Sequence, residues 1–269
     1  AERIQVSMLN VMEERDIQVR GYTLRLPLDV LVVASANPED YTNRGRIITP
    51  LKDRFGAEIR THYPRELEAE VCVISQEAHL TAKVPDYLLQ IVARFARYLR
   101  ESTSVDQRSG VSARFAIAAA ETVAASARHR GALLGEADPV ARVVDLGTVI
   151  DVLRGKLEFE SGEEGRELAV LEHLLRRATA DTAQKALGGI DVAPLVGAVA
   201  DATVTTGEQV SAKNVLAALP DLPVIDTIAD RLGAQTEGQR AAALELALEA
   251  LYLAKKIDKT TGEGETVYG

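Results

Sequence analysis

Residues 29–36, DVLVVASA, are an unbroken run of apolar and small side chains rich in β-branched types. The run does not alternate, so it suits a strand covered on both faces, as in the centre of a parallel sheet. It stops at Asn37-Pro38, and a loop rich in Thr, Asn, Gly and Arg follows to Pro50. A turn at 51–55 leads to a second run, 57–62 (AEIRTH), which reads as another strand. Two buried parallel strands cannot form a sheet that covers itself. Either the remaining strands lie upstream, outside these residues, or these two runs pack very incompletely; the pattern favours the first. Residues 1–10 read as the middle of a helix, which also predicts a fragment. A β-hairpin is expected at 17–26, where apolar and polar residues alternate around Gly21.

From residue 65 onward the apolar spacing is helical. Helices are expected near 65–80, 85–101, 112–129, 138–154, 163–187, 191–202, 208–218, 223–233 and 237–257. Breaks fall at 131–138, at Gly188-Gly189 and at 220–223, and an extended link is expected at 155–162. The Gly- and Thr-rich tail after Lys259 is expected to be loosely held. The formal net charge of −9 argues against a general polyanion-binding surface, so no nucleic-acid partner is expected. Cys72 is the only cysteine, which excludes an internal disulfide and a cysteine-based zinc cluster, and a cytoplasmic home fits. Val71 and Ile74 around it suggest a buried helical face with Cys72 as a small core hydrophobe. The four histidines are scattered without ligand spacing, so no metal-ligating residues are named. No apolar run approaches the roughly 20 residues of a membrane span.

Three polar residues stand where chemistry would need them. Asn37 follows the carboxyl end of a buried strand, the edge where open α/β sheets bind ligands, though Asn-Pro also simply starts turns. Arg54 lies in Pro50-Leu51-Lys52-Asp53-Arg54-Phe55, where Leu51 and Phe55 can anchor one face and aim the guanidinium outward; its plainer role is a surface salt bridge. Arg44, Arg46 and Lys52 make the same loop basic, which suits phosphate oxygens. Arg114 opens a helix after Gly110 with Ser112 as N-cap, where the helix dipole disfavours a cation unless an anion meets it.

The stretch 4–64 (IQVSMLNVMEERDIQVRGY…LDVLVVASANPEDY…ITPLKDRFGAEIRTHYP) resembles the AAA+ ATPases of the MoxR and magnesium-chelatase I-subunit clade. In that family a helix with a MEER-like segment precedes a hairpin, a strand ending in ANPE (sensor 1), and an L-x-D-R-F turn bearing the arginine finger. The resemblance implies that Asn37 is the sensor 1 residue, Arg54 the arginine finger and Arg114 the sensor 2 arginine of a helical lid. It implies an α/β plus all-α chain: the C-terminal part of an αβα core at 1–64, a helical lid at 65–160 and a helical C-terminal domain at 161–269. The family's G-x-x-x-x-G-K-[ST] loop and its acidic strand end occur nowhere in the sequence. Binding of ATP and magnesium would need the missing upstream half, and the fragment alone is expected to be inactive. The resemblance further implies a homo-oligomeric ring, a hexamer, that couples hydrolysis to chaperone-like remodelling or metal insertion, with a von Willebrand factor A domain protein as partner. The alternative is a helical interaction module that keeps a degenerate ATPase remnant and hydrolyses nothing.

Overall fold

The helical spacing read beyond residue 65 is carried into structure over most of that length. A computed structural model describes residues 2–25, 31–36, 47–106, 110–262 and 264–269. They divide into two units, 1–62 and 63–269, and the architecture is mixed α/β, mainly helical, with two small antiparallel sheets.

The first unit opens with α1 (Glu2–Glu13), then β1 (Asp16–Val19) and β2 (Tyr22–Arg25). The strands pair antiparallel, with Val19 opposite Tyr22 across a two-residue turn. Arg20 and Gly21 both have positive φ, +51° and +84°, the mirror-image turn whose twist matches that of the strands. The one-turn helix α2 (Thr49–Lys52) starts with Pro50 in its first turn, where a missing N–H costs nothing. Its start is tied to α1 by the Ile48 N–H, which donates to Gln5 Oε1 at 2.8 Å. Leu51 is the one residue of this unit that is fully buried among those described.

Neither expected central strand forms among the described residues. Residues 31–36 and 57–62 carry no ladder pairing, and Leu31, Val33 and Ile59 are 90%, 84% and 87% exposed. The physical reason lies in the pattern itself, because a strand apolar on both faces is held by neighbours, and among the described residues none pairs with these.

In the second unit, α3 (Leu67–Glu77), α4 (Asp86–Glu101), α5 (Ala113–Leu134), α6 (Gly147–Leu153) and α7 (Glu167–Leu187) enclose one apolar core. On α4 the residues Leu88, Ile91, Val92, Phe95 and Leu99 repeat at helical spacing and are buried. On α5 the matching stripe is Ala116, Ala119, Ala120, Val123, Ala124 and Ala127, whose small side chains let neighbouring helices approach closely. Phe95 and Phe115 meet with ring centroids 6.0 Å apart, within the range of favourable aromatic pairs. A second core is built by α8 (Ala193–Asp201), β3 (Val204–Gly207), α9 (Ala212–Ala217), α10 (Pro223–Arg231), α11 (Glu237–Leu253), β4 (Lys259–Gly262) and β5 (Glu265–Tyr268). Its sheet has the order β3-β5-β4, antiparallel throughout.

Four readings of the sequence need correction. The tail after Lys259 is not loosely held: it makes two strands, and Tyr268 is buried with its hydroxyl donating to Glu249 Oε2 at 2.6 Å. The 138–154 helix is interrupted, because residues 139–141 run extended beside Lys83, with the Ala141 N–H donating to the Lys83 carbonyl at 2.8 Å. Only a 3₁₀ turn at Val143–Leu146 and α6 remain helical there. Helix α5 continues through Gly131 and ends at Gly135, whose left-handed φ of +72° closes it. Cys72 is exposed, not buried. The buried face of α3 is Glu70, Val71 and Ile74, and Cys72 lies one step, about 100° around the helix, from Val71.

Two measurements follow from this packing. A Cβ added at Gly131 would stand 2.5 Å from Pro139 Cβ, whereas one at Gly147 meets nothing within 4 Å. Gly131→Ala is expected to lower unfolding free energy by about 1–3 kcal/mol, as overpacking does, and Gly147→Ala to leave it unchanged or raise it by up to about 1 kcal/mol; urea melts of the two variants check this. Cys72 is expected to react with a thiol reagent in the native protein as fast as an exposed model thiol, and protection until unfolding would contradict its placement.

Candidate functional site

Of the residues singled out in the sequence, Asn37, Arg44 and Arg46 lie outside the described residues. Arg54 and Arg114 are described, the first in unit 1–62 and the second in unit 63–269, so neither unit holds both.

Arg54 follows the C-terminal end of α2. Leu51 is buried and Phe55 half-buried, and this pair fixes the short turn. The guanidinium donates to the Pro50 carbonyl at 2.7 Å and through Nε to Glu13 Oε2 at 2.7 Å, with Nη2 on the same carboxylate. Both side chains of this ion pair are substantially solvent-exposed, so screening leaves it weak. Lys52, one turn-face away, is exposed as well. The site thus presents a partly exposed guanidinium, on a turn anchored by the buried Leu51, held by one surface carboxylate and one backbone carbonyl.

Arg114 is exposed in the first turn of α5. Ser112 does occupy the N-cap position with an extended backbone, yet its hydroxyl makes no cap hydrogen bond. The first-turn amides of α5 and the Arg114 guanidinium are donors of one sign at one helix end, the arrangement that favours an anion.

The densest polar assembly is one that the sequence reading missed. Arg130, Arg142, Asp145 and Glu245 are all buried within the second unit. Arg130 donates to the Val140 carbonyl at 2.7 Å, to Asp145 Oδ2 at 3.2 Å and to Glu136 Oε2 at 3.1 Å. Asp145 also accepts from the Arg142 backbone N–H at 2.7 Å and from the Ser126 hydroxyl at 2.9 Å. Arg142 Nη2 donates to the carbonyls of Gly207 and Val210 at 2.8 and 2.7 Å. Glu245 Oε1 accepts from the Val144 N–H at 2.9 Å, and its Oε2 faces Arg142 Nε at 3.5 Å.

Burial shapes the charges here. Loss of hydration pushes the Glu245 carboxyl above the usual carboxylate value, against the pull of Arg142 and the Val144 N–H. The same loss lowers Arg142 from the ordinary guanidinium value, with Glu245 opposing it. The Tyr87 phenol is raised by burial and then by Glu245. The assembly is closed to solvent and its partners are mostly backbone carbonyls and amides, so its chemistry is that of fixing chain segments in place. A sequence signal existed: Arg130 continues the apolar stripe Ala116, Ala120, Val123, Ala127 at helical spacing, and Glu245 and Glu249 are the two charges within the apolar run 241–251 of α11.

A surface concavity of about 360 Å³ lies between α3, α4 and α7. Arg94, Arg97 and Lys185 are balanced in its lining by Glu66, Glu68 and Glu101, so it does not select for charge of either sign. Among the described residues no group of three His, Cys, Asp or Glu is placed to hold a metal ion, and no helix is long and apolar enough to cross a membrane. Comparisons with protein-family models, curated proteins and solved structures found no match to this chain.

The raised Glu245 sets a pH dependence with a definite sign. A carboxyl whose folded pKa exceeds its unfolded value adds stability at low pH and loses it as pH rises through the folded pKa. Arg142 is the main charge opposing that rise. In Arg142→Met, stability is therefore expected to fall steadily as pH rises above the ordinary value of 4.5. Adding Glu245→Gln is expected to remove that slope. Urea melts across pH check both, and a pH-independent Arg142→Met would show that Glu245 is not held as described.

Proposed function

We infer that this chain is the back part of a ring-forming AAA+ ATPase of the MoxR and magnesium-chelatase type, which couples ATP hydrolysis to remodelling or metal-insertion work. One observation supports the reading beyond the motif run at 4–64. Residues 2–62 leave Ile4 and Val6 of α1, Val19, Tyr22 and Leu24 of the hairpin, and Leu31, Val33 and Ile59 all exposed, while burying Leu51 alone among those described. A unit this apolar and this open is one side of a core that a further polypeptide segment completes. In this reading that segment supplies the phosphate loop and the magnesium-holding carboxylates, which the 269 residues lack.

The chain's own residues fit the anionic part of such a site. Arg54 is partly exposed on a short anchored turn, and Arg114 stands exposed at a helix N-terminus. Arg54 acts across the subunit boundary, adding charge where phosphoryl transfer develops it. Arg114 meets the same class of ligand from the lid, and Asn37 orients the attacking water. Magnesium neutralises phosphate charge when bound, and the described residues place no ligand for it. The assembly is a homo-oligomeric ring, a hexamer in the related family, working with a von Willebrand factor A domain partner.

The ion pair between Arg54 and Glu13 makes the test sharp. A guanidinium used only for that surface pair is worth at most about 1 kcal/mol of stability, and removing either partner would have the same small effect. A finger acting in trans makes the two variants differ. In the ring completed with its phosphate-gripping segment, Arg54→Ala is expected to cut turnover by about 10³-fold or more with nucleotide binding retained. Glu13→Ala, which only frees the guanidinium, is expected to keep turnover. In mixed rings an Arg54→Ala subunit should hydrolyse its own nucleotide when its neighbour supplies the finger, yet fail to support the subunit on its other side. Steady-state hydrolysis by the mixed rings reads this out, and normal turnover by Arg54→Ala alone removes the assignment.

A further inference from the structure

Arg114 stands outward because its neighbours in the chain face in. Val111 before it and Phe115 after it are buried, and Phe115 meets Phe95 of α4. The N-cap does little to hold this turn, since the Ser112 hydroxyl makes no cap hydrogen bond. The start of α5 is held from α4 instead. Arg100, in the last turn of α4, donates through Nε to the Val111 carbonyl at 2.8 Å. Its Nη1 lies 2.7 Å from Glu70 Oε1 on α3, and the two side chains of this ion pair are only 9% and 3% exposed.

Arg100 has a third neighbour. Its guanidinium carbon lies 4.1 Å from the centre of the Tyr63 ring, and Tyr63 is the first residue of the 63–269 unit. The Tyr63 hydroxyl reaches the same turn from another side: a Cβ added at Gly110, whose φ is +69°, would stand 3.4 Å from it. One guanidinium thus joins the chain's entry at Tyr63, a buried carboxylate on α3 and the residue before the N-cap of α5. The shape of the group matters here. A planar guanidinium offers its face to a ring and its edge to a carboxylate and a carbonyl at once, which an ammonium does not. Charge alone opposite Glu70 asks for no such plane.

We propose that Arg100 is a positioning residue, which fixes the first turn of α5 and with it Arg114 against Tyr63; the role rests on the reading of Arg114 as the lid arginine that meets nucleotide. A shift of the chain at Tyr63 is then carried by the Arg100 guanidinium to the Val111 carbonyl, and Arg114 follows in the turn beyond. Helix α4, rather than the N-cap serine, sets where Arg114 stands.

Arg100→Lys separates this role from plain ion pairing, because it keeps a charge opposite Glu70 and gives up both the bond to Val111 and the flat face on Tyr63. In the 269-residue chain, hydrogen exchange read by mass spectrometry is expected to run about tenfold faster at amides 115–118 of this variant, the worth of one hydrogen bond to a charged group, with α7 and α11 unchanged. Tyr63→Leu is expected to give the same pattern at smaller amplitude, and it carries the test if the lysine variant does not fold. In the completed ring, Arg100→Lys is expected to weaken nucleotide binding by about tenfold with turnover at saturation retained, and to add little once Arg114→Ala is present. Uniform acceleration of α3, α4 and α5, or none at 115–118, overturns the role of Arg100 and leaves the ATPase reading standing. Effects of Arg100→Lys and Arg114→Ala that add in full also overturn it. Full nucleotide affinity in Arg114→Ala removes the lid reading of Arg114, and this role with it.

Discussion

The buried arrangement of Arg130, Asp145, Arg142 and Glu245 fixes how α5, the 136–145 segment, the 207–212 backbone and α11 meet within residues 63–269. Two guanidiniums and their carboxylates are withdrawn from water there, at a desolvation cost of several kcal/mol per ion. Coulomb attraction alone rarely recovers that cost. The arrangement recovers it through hydrogen bonds to backbone: the carbonyls of Val140, Gly207 and Val210, and the N–H groups of Arg142, Val144 and Ala212. Most of these would otherwise be peptide groups buried at a chain crossing without a partner; the Gly207 carbonyl also accepts from the Val210 N–H at 3.4 Å. Apolar packing could hold the same segments close, but it has no direction and would not choose which carbonyl meets which donor. The network makes that choice, and in the extended run 139–141 Lys83 and Arg130 take up backbone groups in place of a helix.

Residues 2–62 show the opposite balance. They form an α-helix, a hairpin and one anchored turn, each specified locally, and bury almost nothing. The hairpin closes on its own because Arg20 and Gly21 take up the mirror-image turn. The segments 31–36 and 57–62 have no such local device. Their β-branched composition favours extended backbone, but a ladder needs a second strand to receive its hydrogen bonds. Leu31 and Val33 in water are the consequence.

This difference explains what could be read in the sequence. Helices α4, α7, α10 and α11 were legible because their apolar spacing is local, and α11 carries a local cap as well. The Thr236–Gln239 capping box at the start of α11 is that cap, with the Gln239 N–H donating to Thr236 at 3.3 Å. The hairpin was legible for the same reason. Strands β3, β4 and β5 were not, since VTTG, KTTG and ETVY are four-residue pieces of Thr- and Gly-rich composition: β4 and β5 pair with their sequence neighbour, and β3 joins β5 only from about sixty residues away. Cys72 was misplaced because its neighbours Val71 and Ile74 define a buried line that passes beside it. For the candidate site, Arg54 and its apolar anchor were read from five consecutive residues. The buried arginines went unread because Arg142 finds its partners some sixty residues and more away, in a loop, a strand end and α11.

The arginines themselves separate by what it costs to move them. Arg142 is shut in, and freeing it means exposing Glu245 and the Gly207 and Val210 carbonyls at the same moment. Arg54 is held by one exposed carboxylate and one carbonyl, bonds that water replaces at a cost of about 1 kcal/mol or less. A guanidinium that must leave one anion for another during a catalytic cycle has to sit in the second kind of place, because the exchange is then nearly isoenergetic. Its position must nonetheless be fixed, or the gain in the transition state is spent on ordering a long side chain. In the proposed role, the buried Leu51 anchors the turn that carries Arg54, and the Pro50 carbonyl and the Glu13 carboxylate are the polar bonds the guanidinium would leave.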